Sequence, residues 1–272
     1  TSGSSNTFIG ALCGDLATTG NSNVGVGVSA LTALTTAANN TAVGSSALAA
    51  NTTGTDNVAV GSYALSLNTT ASYNTAVGRE ALQANTTGTY NVAVGRRALK
   101  ANTTASNNTA LGYQALDANT TGGTNVAVGT STMGANTTGY DNVAVGVDAL
   151  DANTTGHLNV CIGKSAGTAL TGSVYSNTIV GGTAATSMTT AIQNTAIGQG
   201  AMQLGTSGSQ NVAVGAGALL RIGTANYNVS VGYLAGENVT SGNGNTFIGY
   251  NAGQDFTTGT DNIYIGYNAG TT

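Results

Sequence analysis

Hydrophobic residues in this chain do not recur at helical spacing and never form a long run. A short alternating block returns instead: residues 40–56 read NTAVGSSALAANTTGTD, and the next two stretches are NVAVGSYALSLNTTASY and NTAVGREALQANTTGTY. Aligned on the Asn that opens each N-x-x-[VIL]-G block, the repeats start at Asn6, Asn23, Asn40, Asn57, Asn74, Asn91, Asn108, Asn125, Asn142 and Asn159. After one extra residue they resume at Asn177, Asn194, Asn211, Asn228, Asn245 and Asn262, which makes sixteen starts spaced by seventeen residues with one step of eighteen. Self-similarity at a short fixed period predicts a solenoid in which each coil touches its neighbours. Numbering each coil from its Asn, positions 2 and 4 are β-branched or aliphatic (Val58 and Val60, Thr75 and Val77) and position 3 is mostly Ala. That period of two predicts a short strand with positions 2 and 4 on one face and position 3 on the other.

The remaining columns predict bends and packing. Position 5 is Gly in every coil, which suggests a bend or a close approach of another backbone. Position 8 is Ala except at Cys13 and Thr132, and position 9 is most often Leu, a pattern that fits a tightly packed interior. Asn-Thr-Thr-Gly or Asn-Thr-Thr-Ala follows and reads as a turn. Positions 9 and 12 exchange volume: Leu48 accompanies Asn51, whereas Gly167 accompanies Leu170 and Gly253 accompanies Phe256. Leu31 with Leu34 and Leu219 with Ile222 break that rule. The invariant Asn at position 1, from Asn40, Asn57 and Asn74 through Asn91, Asn108, Asn125 and Asn142, is expected to stack its amides into a structural ladder. Recurrent Gly and Val–Thr runs argue against helix, so the fold expected is all-β, one parallel β-solenoid over residues 1–272 with sixteen coils of about 17 residues.

Composition sharpens this picture. Charged residues make up 6% of the chain, far below the roughly 25% of ordinary soluble domains. Six Lys and Arg cannot neutralise a tract of phosphates, so nucleic acid is not an expected partner. No apolar stretch is long enough to insert in a membrane as a helix. Proline is absent, as expected where backbone N–H groups belong to ladders. The column rule pairs Glu80 with Arg97 at position 7 and Lys100 with Asp117 at position 10. Arg79, Arg96, Arg97 and Lys100 form the one basic cluster, read as partly paired surface rather than an anion site. Cys13 and Cys161 lie many coils apart, too far for a disulfide.

The core N-[TV]-A-[VI]-G-x-x-A-L, repeated from residue 6 to 270, resembles the head repeats of trimeric autotransporter adhesins of the YadA type. It is still more similar to the N-T-A-[IV]-G-Y-x-A-L…N-T-T-G arrays of phage tail-fibre and related surface proteins. The resemblance implies a left-handed β-roll with three chains side by side in a stiff rod, although the autotransporter coil is usually shorter than seventeen residues. It further implies an extracellular place, on a virion tail fibre or a bacterial surface. The thin coil and the strict Ala and Gly columns suggest a close chain–chain seam, in a homotrimer or a homo-polymer.

No catalytic constellation stands out. His157 is the single histidine and reads as a surface residue in a turn, so a Ser-His-Asp arrangement lacks its partners. No cofactor and no metal are expected. The Asn-Thr-Thr triplets are formal glycosylation acceptors but are better explained as turn chemistry. Tyr233, Tyr250 and Tyr267 share position 6 of successive coils, with Phe247 and Tyr264 at position 3. They suit either a sugar-binding strip or a packing device at one end, and the packing reading is favoured. The function expected is a non-enzymatic structural or adhesive fibre segment that projects or presents a receptor-binding surface, with a host-cell or surface glycan as candidate receptor. The alternative is a self-assembling extracellular filament. An ice-binding or glycan-binding face on the Thr column (Thr52, Thr69, Thr86, Thr103, Thr120, Thr137) is the weakest reading, and ice binding is disfavoured because the paired Thr are adjacent rather than one residue apart.

Overall fold

Three residues of each repeat are extended in the computed structural model of the protein, which describes residues 3–271. The chain divides into two compact units, one ending at Thr138 and one beginning at Gly139. The first carries β1 (Thr7–Ile9), β2 (Val24–Val26), β3 (Thr41–Val43), β4 (Val58–Val60), β5 (Thr75–Val77), β6 (Val92–Val94), β7 (Thr109–Leu111) and β8 (Val126–Val128). Within this unit each pairs in parallel with the next, in register, as Thr41 with Val58 and Ala42 with Ala59. The second carries β9 (Val143–Val145), β10 (Val160–Ile162), β11 (Thr178–Val180), β12 (Thr195–Ile197), β13 (Val212–Val214), β14 (Val229–Val231), β15 (Thr246–Ile248) and β16 (Ile263–Ile265), paired in the same way. Each unit is a parallel β-solenoid, and no described residue is helical. The eighteen-residue step is absorbed between β10 and β11, where Val160 still opposes Thr178.

So short a strand cannot hold a coil by itself. The rest of each coil is also laddered to its neighbours: Leu48 N–H donates to Ala64 C=O at 3.0 Å, Thr52 N–H to Thr69 C=O at 2.9 Å, and Asp56 N–H to Ala38 C=O at 3.1 Å. With the backbone bonded all the way round, a residue without an N–H has no place.

The interior of a coil is made by positions 3, 8 and 9. Ala59, Ala64 and Leu65 are completely buried, and β4 alternates with Val60 exposed. The Ala columns are therefore spent inside one chain, which corrects the expectation that they form a chain–chain seam. Gly at position 5 is spent likewise. Gly78 has φ +132°, and a Cβ there would lie 2.6 Å from the backbone of Gly95 one coil on.

The corners use left-handed backbone on ordinary residues. Positions 7 and 9 and the residue just before each ladder Asn have positive φ throughout, as at Tyr63 (61°), Leu65 (50°) and Tyr73 (62°). Such a conformation costs about 1–2 kcal/mol per residue, and here the inter-coil hydrogen bonds hold it in place. Position 9 also resolves the exchange of volume. Its partner is position 3 as much as position 12, because a Cβ on Gly14 would collide with Phe8, on Gly253 with Phe247 and on Gly270 with Tyr264. An aromatic ring at position 3 fills the space that Leu takes elsewhere, and Gly at position 9 is the consequence.

Candidate functional site

The position-1 Asn residues form the ladder that the repeat predicted. Asn57 Nδ2 donates to Asn40 Oδ1 at 3.1 Å, and the Asn57 backbone N–H donates to the same oxygen at 3.0 Å. Asn74 repeats this on Asn57, and Asn91 on Asn74. The second amide hydrogen goes to a backbone carbonyl across the coil, as from Asn91 to Ala105 O (2.9 Å), Asn108 to Gly122 O (3.0 Å) and Asn142 to Gly156 O (2.8 Å). Asn125 N–H bonds Asn108 Oδ1 at 2.9 Å. All seven residues, from Asn40 to Asn142, are fully buried.

A second ladder lies at position 12, where the sequence suggested only a turn. Asn68 Nδ2 donates to Asn51 Oδ1 at 2.9 Å and to Ala71 O at 3.0 Å, and Asn85, Asn102, Asn119 and Asn136 continue upward. Because Asn51, Asn68 and Asn85 are fully buried, the Asn-Thr-Thr acceptors are closed to glycosylation in the folded chain. The Thr that follows is also engaged: Thr52 Oγ1 donates to Thr69 O at 3.1 Å and Thr120 Oγ1 to Thr137 O at 3.0 Å. Those hydroxyls are committed to the backbone rather than displayed to a surface.

The tyrosine column is stacked on itself. Tyr233 and Tyr250 lie with centroids 5.2 Å apart and planes 17° off parallel, and Tyr250 and Tyr267 repeat this at 5.2 Å and 12°. The faces between neighbouring rings are therefore shared, and the strip shows mainly ring edges. Phe247 is fully buried and stacks with Tyr264 in the interior at 5.9 Å, so these two do not belong to the exposed column. Similar stacks occur at position 17, with Tyr73 on Tyr90 at 5.0 Å. His157 lies between Tyr140 (4.8 Å) and Tyr175 (5.5 Å), both close to parallel. Sequence reasoning left it as an isolated surface residue; its neighbours come from the coils before and after.

The charged residues pair diagonally, not within columns. Lys100 Nζ meets Glu80 Oε2 at 3.0 Å and Arg97 Nη2 meets Asp117 Oδ2 at 2.8 Å, while Arg79 also reaches Glu80 at 3.0 Å. This corrects the pairing of Glu80 with Arg97 and of Lys100 with Asp117. Position-10 side chains lean towards position 7 of the preceding coil, as uncharged ones do: Thr32 Oγ1 donates to Leu12 O, and Thr168 Oγ1 to Asp148 O. The ammonium of Lys100, hydrogen-bonded to Glu80, holds that carboxyl below its ordinary range. Arg96 lies over the ring of Tyr113, 5.7 Å from its centroid.

The two cysteines are free. Burial raises the Cys13 thiol and pushes that of Cys161 up to about 12, so neither has thiolate character at neutral pH. Among the described residues no cluster of three or more His, Cys, Asp or Glu could hold a metal, and no helix is long and apolar enough to cross a membrane.

Two features escaped sequence reasoning. One is that the shared face of positions 2 and 4 is the outward one, where they present two ranks of Thr, Val, Ile and Leu; Val43, Val60 and Val94 remain 37–38% exposed. The other is a hollow beside columns 7, 10 and 11 of the first unit. One part, of about 570 Å³, lies among Ser46, Tyr63, Ser66 and Gln83. The other, of about 560 Å³, lies among Gln83, Arg97, Lys100 and Asp117. No protein-family model matches the chain, and no curated protein matches it in sequence.

Proposed function

We propose that this chain is a segment of a non-enzymatic structural and adhesive fibre, working outside the cell on a virion tail fibre or a bacterial surface. In this reading its work is mechanical: to project a binding surface and to hold its shape under load. The observation that carries the reading is the pair of outward ranks at positions 2 and 4. They make a flat β-branched surface on each unit, half-exposed and without large charged side chains. A largely apolar face of this kind favours burial against another protein surface, and identical copies arranged about a rotation axis can bury the same regular face together. The resemblance to trimeric fibre repeats makes three copies the expected number. The seam then lies on Val60, Val94 and their neighbours rather than on the Ala and Gly columns.

The solution mass, measured by light scattering across a wide range of concentration, tests this. A constant mass of three chains is expected, falling to one chain in the double variant Val60→Asp, Val94→Asp with its far-UV circular dichroism unchanged. A monomeric wild-type chain would overturn the fibre reading. Mass that keeps growing with concentration would replace it with a filament built end to end.

A further inference from the structure

We infer that the hollow beside columns 7, 10 and 11 of the first unit binds a neutral oligosaccharide. The inference deepens the reading of the chain as a surface-presenting fibre, because it gives that surface a site and a class of ligand. The two parts of the hollow adjoin at Leu67 and Gln83, and together they run from Ser29 in the second coil to Asp117 in the seventh. Five coil spacings make a trough about 24 Å long, the scale of a short oligosaccharide rather than of a single sugar.

Its lining is amphipathic in the way that a sugar is. The floor is apolar, made by small residues such as Ala84 and Ala101. Tyr63, 44% exposed, lines the hollow, and no aromatic neighbour among the described residues stacks on it. Unlike the rings shared within the Tyr233–Tyr250–Tyr267 column, it is not stacked on another ring, and its exposed part can take the C–H face of a pyranose. Around it lie the Ser66 hydroxyl and the Gln83 amide, each able to donate and to accept. A shallow, mostly apolar depression with a few polar groups beside it offers the two kinds of contact that a ligand with apolar faces and hydroxyl edges needs.

The charges at the far end indicate a neutral ligand. Arg97 is bonded to Asp117, and Lys100 shares Glu80 with Arg79, so each of the two cations that line the trough already has a carboxylate partner. Adjacent guanidinium and carboxylate groups offer donors beside acceptors, which is what a hydroxyl needs. An anion would have to compete with Asp117 for Arg97. An extended peptide is a poorer fit, since the strands of the coils that line the trough, β2 to β7, are paired on both sides and leave no edge for strand addition.

The test is a titration of the full-length protein, in its solution assembly, with maltohexaose, cellohexaose, mannohexaose, xylohexaose and, as the anionic comparison, hexagalacturonate. Binding is read by calorimetry and by the ring signals of tyrosine in NMR. At least one neutral hexasaccharide is expected to bind saturably. Tyr63→Ala should weaken it at least about tenfold, Tyr63→Phe should keep it, and Tyr250→Ala should leave it unchanged. Asp117→Ala, which frees Arg97, should turn the preference towards hexagalacturonate. The inference is overturned if no neutral hexasaccharide binds up to about 10 mM, if only hexagalacturonate binds the wild type, or if Tyr63→Ala binds as well as wild type. Measuring the mass of the same preparation separates the two readings. A trimer that binds no sugar removes only this site, whereas a monomer that binds one removes the fibre and keeps the site.

Discussion

The position-1 and position-12 amides look alike in the sequence, yet their removal should not cost the same. In Asn91→Ala the lost side chain had donated to Asn74 Oδ1 (3.2 Å) and to Ala105 O (2.9 Å), and had accepted the backbone N–H of Asn108 (3.0 Å). Ala105 O keeps Asn102 Nδ2 at 3.0 Å, and Asn74 Oδ1 keeps the backbone N–H of residue 91 at 3.0 Å. The Asn108 N–H loses its side-chain acceptor inside a buried column. A buried donor without a partner costs about 1–3 kcal/mol, and each lost hydrogen bond about 1 kcal/mol more, so the variant should lose about 3–5 kcal/mol. In Asn51→Ala every partner keeps a bond: Gly54 O still accepts from Asn40 Nδ2 at 2.9 Å, and Asn68 Nδ2 still donates to Ala71 O at 3.0 Å. Two lost bonds predict only about 2 kcal/mol. Urea unfolding of the two variants against wild type measures the difference, and amide hydrogen exchange locates it at Asn108. Equal costs, or an Asn108 amide as protected in Asn91→Ala as in wild type, would refute the claim that position 1 ties the side-chain ladder to the backbone.

Two further outcomes follow from the same geometry. Gly78→Ala should sharply lower the urea midpoint, since the φ of +132° alone costs about 1–3 kcal/mol for a residue with a side chain and the new Cβ meets the backbone of Gly95. Gly182→Ala, where a Cβ meets nothing within 4 Å, should leave the midpoint close to wild type. Lys100 lowers the pKa of Glu80 in the folded chain, so this carboxylate adds stability above its unfolded pKa that is lost as pH falls through the folded value. Glu80→Gln should therefore flatten the acid limb of stability against pH, and an acid limb identical to wild type would show that the Lys100 contact has no energetic weight.

The period, the strand and the position-1 ladder were legible in the sequence because in-register stacking imposes one chemistry on each column. What a column cannot report is which way a side chain leans between coils. The ion pairs show this: Glu80 and Arg97 share a column, but Lys100 reaches back to Glu80 and Asp117 to Arg97. The left-handed backbone at Leu48 and Leu65 was equally hidden, since nothing about leucine announces it. It is imposed by the inter-coil hydrogen bonds that Leu48 and Leu65 donate to Ala64 and Ala81.

The second amide ladder marks the finer boundary between what was visible and what was not. Locally, Asn-Thr-Thr-Gly is a turn, and that reading of Asn51, Asn68 and Asn85 was sound as far as one coil goes. The telling signal was the kind of residue that most often replaces Asn at position 12, among them the buried Leu34, Leu170, Met188, Ile222 and Val239. A turn exposed to water would exchange Asn for Ser, Asp or Gly. A position that alternates between Asn and large aliphatic residues must be interior, where an amide is tolerated only if its neighbours satisfy it. Asn51 heads its run immediately above Leu34, and its amide still has Gly54 O at 2.9 Å. A ladder can therefore begin beside an apolar coil without leaving a bare donor, and this is how polar and apolar coils can share one core.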